Sequence, residues 1–142
     1  MKNYITWLKV TAISQVIIAV IHSISLFITL PPSNETEKQL FALMDTYKLD
    51  LGAGFHRTMN ELTLVFSACF FLLYLLGGLL NWYLLQKKVE PQIMKGVITI
   101  NLVIFGICFV LTTIFAFLFP IILTGLIVLF LILSRFTVPK NS

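Results

Sequence analysis

The side chains of this chain best equipped for chemistry are His22, His56 and Glu61. An imidazole changes charge nearest neutral pH and ligates metals, and a carboxylate beside it completes an acid-base pair or a metal site. Ser25, Asn60 and Ser67 are the polar residues best placed to join them, so the candidate ligand-binding set is His22, Ser25, His56, Asn60, Glu61 and Ser67. Neither His-x-x-x-His nor His-Glu-x-x-His occurs, so no local spacing marks a metal site. Two histidines on separate helices are also a haem ligand set, but His56 falls at or above a membrane edge whereas His22 falls inside the apolar run. The sequence therefore predicts no resident metal or cofactor and assigns no catalytic residue. Arg57 and Glu61, four apart, are expected to form a structural ion pair at the head of a helix. Cys69 and Cys108 lack Cys-x-x-Cys spacing and read as small buried hydrophobes.

These residues must be held by elements that live in lipid. Of 142 residues, 58% are hydrophobic and 11% charged, and the mean hydropathy is +0.98. A soluble domain carries roughly 25% charged residues, so a water-soluble globule is excluded. The apolar residues fall into four runs of about 20 residues, near 8–30, 59–85, 96–117 and 120–135. Pro31-Pro32, Gln86-Lys87-Lys88 and Phe119-Pro120 punctuate them. One integral membrane domain covering 1–142 is expected, with no cleavage pattern after the first span. Lys2, Lys9, Lys87, Lys88, Lys95, Arg135 and Lys140 fall on the side of both termini against Glu90 alone. That side is expected to be cytoplasmic. The net charge of +4 does not imply nucleic acid, because its distribution is accounted for by topology.

The polar segment 31–58 separates the first two spans. Asn34 and Glu37 have capping-box spacing, and Leu40, Leu43, Met44, Tyr47 and Leu51 share one helical face, which predicts an amphipathic helix on the outer membrane surface. Gly52-Ala53-Gly54 should then act as a flexible joint. Within the spans, Thr11, Ser14, Gln15, His22, Ser25 and Thr29 fall in one strip of roughly 100° on the first helix. His56, Asn60, Thr63, Ser67, Tyr74, Gly78 and Asn81 form a similar strip on the second, and Asn101, Cys108 and Thr112 a shorter row on the third. The fourth span has almost no polar residues and is expected to pack outside this seam. The predicted fold is all-α, a four-helix transmembrane bundle with a short amphipathic helix in the outer loop.

His22-Ser23 with Phe27, Gly54-Phe55-His56-Arg57-Thr58-Met59 before the second span, and Gly78 to Asn81 near its end resemble an uncharacterised family of small four-span bacterial membrane proteins over nearly the whole chain. Members often carry Gly-Phe-Asn before the second span and a Ser-His pair soon after; this chain has Gly54-Phe55-His56 and then Met59-Asn60. The resemblance implies the architecture and a multi-pass place in the bacterial inner membrane, and no activity. Beyond the lipid bilayer itself, the polar seam and surface helix suit binding of an amphipathic small molecule or a partner membrane protein. The alternatives are a lipid-modifying enzyme using His22 with Glu61 or His56, and a subunit of an oligomeric transporter, since four short helices enclose little volume alone. A homo-oligomer fits the last reading. No carboxylate lies near mid-membrane, which weighs against transport.

Overall fold

The structure, a computed structural model, describes residues 3–28 and 31–139; the Ser25 side chain, Thr29, Lys2 and Lys140 lie outside the described residues. Among the described residues there are five helices, α1 (Asn3–Ser25), α2 (Glu35–Thr46), α3 (Met59–Gln86), α4 (Pro91–Phe115) and α5 (Leu118–Thr137). A hairpin of β1 (Lys48–Asp50) and β2 (His56–Thr58) stands between α2 and α3. Helices α1, α3, α4 and α5 are long and apolar enough to cross a membrane. At 1.5 Å per residue even α5, with 20 residues, covers about 30 Å of hydrocarbon. The protein is a small polytopic membrane protein.

The helix limits follow local chemistry. Helix α1 stops at Ser25 rather than near Leu30, whereas α3 closely follows the expected run. Helix α4 starts at Pro91, where a proline's missing N–H is one a helix leaves unpaired anyway. The break before α5 falls at Ala116 and Phe117, not at Pro120. Pro120 lies in the first turn of α5, where it removes no helical hydrogen bond.

The chain divides into two compact units, Met1–Ile18 with Tyr74–Ser142, and Ala19–Leu73. In the first, Leu8, Ala12, Met94, Ile98, Phe105, Ile127 and Leu131 are buried in a four-helix core. Gly77 and Gly78 allow α1 to approach α3 closely: a Cβ at Gly78 would lie 2.9 Å from the Ala12 carbonyl oxygen. The outward faces keep Ile100, Val103, Ile107 and Leu129 exposed, as expected where lipid is the solvent. Helix α5 does not pack outside the polar seam. Its Thr124 hydroxyl lies 2.7 Å from the Tyr74 hydroxyl, and its Ser134 hydroxyl donates to the Tyr4 carbonyl at 3.2 Å. Two polar residues on one side of an apolar helix were enough to turn that side inward.

The second unit holds the loop segment. The Asn34 side chain accepts from the Glu37 N–H at 2.8 Å, and the Glu37 carboxylate accepts from the Ser33 N–H at 2.6 Å, which closes the expected capping arrangement. Helix α2 ends at Thr46, and Tyr47 turns to extended backbone, so Tyr47 and Leu51 are not on its apolar face. The segment 52–54 is a defined hairpin turn and not a loose joint. Gly52, Ala53 and Gly54 all take left-handed backbone angles, and the Asp50 carboxylate accepts the Gly52 N–H at 2.9 Å. This pairs Lys48 with Thr58, Leu49 with Arg57, and Asp50 with His56.

Candidate functional site

His56 and Arg57 belong to β2, ahead of the first turn of α3. Helical spacing therefore does not relate either of them to Asn60 or Glu61, and His56 is exposed in the hairpin. The Glu61 carboxylate accepts the Thr58 N–H at 2.9 Å while the Thr58 hydroxyl accepts the Glu61 N–H at 3.2 Å. This reciprocal pair is a capping box that satisfies two backbone donors at the head of α3. The Arg57 guanidinium instead reaches the His56 carbonyl at 3.4 Å, and the expected Arg57–Glu61 ion pair is not formed among the described residues.

The other candidates take separate partners. The Asn60 amide donates to the Asp45 carboxylate, tying the last turn of α2 to the first turn of α3. His22 is half-buried on α1, its ring facing Phe70 with centroids 6.1 Å apart and planes tilted by 51°. Ser67 is half-buried on α3, one turn before Phe70. None of these contacts joins two of the candidate residues. Among the described residues no three His, Cys, Asp or Glu side chains are grouped so as to hold a metal ion.

The second unit does contain a groove of about 370 Å³ along the head of α3, lined by Arg57, Glu61, Leu62, Leu64, Val65 and Phe66. Charge stands at one end, and the wall below it, Leu62 to Phe66, is apolar over a little more than one turn, about 6 Å of helix. Leu64, Val65 and Phe66 are each more than half exposed there. One carboxylate oxygen of Glu61 is held by the cap, and the Arg57 guanidinium is anchored only by a weak bond to a carbonyl. The groove thus offers a cation and a carboxylate at its rim and aliphatic and aromatic surface along its length.

A second polar feature lies in the first unit. Asn81 donates to the Gln15 side-chain oxygen at 3.0 Å, and Asn101 lies 3.5 Å from the Asn81 oxygen while also donating to the Val97 carbonyl at 3.0 Å. Gln15, Asn81 and Asn101 each stand six residues from a lysine (Lys9, Lys87 and Lys95), which places all three about 9 Å inside the basic level. The threonines behave differently. Thr11, Thr99 and Thr112 donate to carbonyls of their own helices. In this layer the long amides reach across a helix interface, whereas these three hydroxyls are satisfied on their own helices.

No family model, curated protein or solved structure matches this chain.

Proposed function

We propose that this protein binds an amphipathic ligand at the head of α3. The observation that carries the reading is the groove itself, with Arg57 and Glu61 at its rim above Leu62, Leu64, Val65 and Phe66. A ligand suited to it carries an anionic group for the guanidinium, a hydrogen-bond donor for the free carboxylate oxygen, and an apolar body to lie against the helix. The exposed apolar side chains of α2, Leu40, Phe41 and Leu43, give the same unit a second surface for the membrane interface. The distribution of basic residues supports a cytoplasmic position for both termini and an external one for the groove. In a bacterial plasma membrane the ligand would then be drawn from the outer leaflet.

The test is native mass spectrometry of full-length protein extracted gently from membranes. The reading expects one retained amphipathic molecule in the wild type and its loss in Arg57→Gln at unchanged melting temperature. A wild type that retains nothing, or a variant that retains the same molecule equally, would overturn it.

A further inference from the structure

Where α4 begins and α5 ends, the first unit carries a charged feature of its own. The Arg135 Nε–H donates to the Thr99 hydroxyl at 2.8 Å, and Thr99 in turn donates to the Lys95 carbonyl at 2.8 Å. Lys95 and Thr99 are one turn apart on α4, so the Arg135 side chain is drawn across from α5 onto the face that carries Lys95. The bond uses Nε alone. Both terminal nitrogens of the guanidinium and the ammonium of Lys95 lack protein partners among the described residues, where the sole ion pair joins Lys38 to Glu35. Glu90 is the nearest acid in sequence, and it sits outside α4 at its N-cap position.

We infer that Lys95, Thr99 and Arg135 form a site for the phosphate of an anionic phospholipid, at the membrane surface on the side of the chain termini. A guanidinium fixed through Nε presents its two terminal nitrogens as a planar fork, which matches two phosphate oxygens, and Lys95 adds a second charge. Both side chains are half-buried at the edge of a helix pair, which lowers the entropy lost when a headgroup docks. The occupant is a lipid and not a free anion because the surface continues as hydrocarbon. Val103 and Ile107, one and two turns beyond Thr99 on α4, are 58% and 57% exposed. An ion in water would gain nothing from those side chains, while acyl chains would lie along them. Basic pockets between transmembrane helices are a recurrent headgroup geometry.

The experiment uses full-length protein, stripped of lipid in detergent and titrated with phosphatidylglycerol or phosphatidylcholine under native mass spectrometry. Wild type is expected to prefer the anionic lipid by about 30-fold, given two basic residues at the surface. Lys95→Gln with Arg135→Gln should remove the preference. Thr99→Val, which keeps both charges and frees the guanidinium, should lower it while leaving some. Lys38→Gln should leave it intact, and all variants are compared in an Arg57→Gln background, which removes the cation of the groove on α3. Equal preference in the double variant, or displacement of the lipid by an equal concentration of inorganic phosphate, would overturn the assignment. Melting temperatures of all variants are read in parallel, and Thr99→Val decides the matter if the double variant does not fold.

Discussion

Replacing Gly78 by alanine adds one methyl group at the crossing of α1 and α3. That carbon would lie 2.7 Å from Val16 Cγ2, 2.9 Å from the Ala12 carbonyl oxygen and 3.2 Å from Gln15 Cβ. Val16 can rotate, but the Ala12 oxygen belongs to a helix backbone, so α1 must move as a rod. Such overpacking costs about 1–3 kcal/mol, against which alanine regains up to about 1 kcal/mol of helix propensity. The net expectation is a loss of up to about 2 kcal/mol. Gly106 supplies the internal control: nothing lies within 4 Å of a Cβ there, so Gly106→Ala should gain about 0.5–1 kcal/mol from propensity alone. Unfolding both variants by SDS titration in mixed micelles, with Trp7 and Trp82 fluorescence as the signal, gives a predicted gap of roughly 2 kcal/mol between them. Equal stability of the two variants would refute the close crossing and with it the packing that aligns the amide layer.

Three further outcomes are expected. Asn81→Leu and Gln15→Leu should be non-additive in the same titration, with a coupling of about 0.6 kcal/mol, typical of membrane hydrogen bonds; strict additivity would mean that the two amides do not interact. Thr58→Ala and Glu61→Ala should each lower stability by about 0.5–2 kcal/mol through loss of the cap, and Arg57→Gln should leave it unchanged; a large effect of Arg57→Gln, absent in a Glu61→Ala background, would restore the ion pair in place of the capping box. Leu43→Trp on α2 should be quenched by lipids brominated near the headgroup, because that residue is 59% exposed on the helix's apolar face; an unquenched tryptophan would place α2 in water.

The spans were legible because lipid imposes a simple rule, a long apolar run closed by charge or proline, and α3 obeys it closely. The amide layer was legible as well, since Gln15, Asn81 and Asn101 already lie on the polar strips of their helices. Two things were hidden. Strands β1 and β2 are three residues each with no apolar alternation, so only the Asp50-Leu51-Gly52-Ala53-Gly54 turn signalled a hairpin, and helical spacing carried through His56 and Arg57 gave a false neighbour for Glu61. The inward turn of α5 rests on Thr124 and Ser134 alone, too few for a pattern but enough to select a face when the rest of the helix is uniformly apolar. The groove on α3 has no signature in the sequence because its wall is made of Leu64, Val65 and Phe66, residues that any lipid-facing helix displays.

The ligand groove is tested most directly by photo-crosslinking in intact membranes from a benzoylphenylalanine placed at Leu64, inside the groove, and at Leu72, exposed on α3 outside it. The account predicts that position 64 captures one amphipathic species of defined mass, lost when Arg57 is changed to Gln, while position 72 captures the bulk mixture of membrane lipids. Capture of the same bulk mixture from both positions, unaltered by Arg57→Gln, would contradict it.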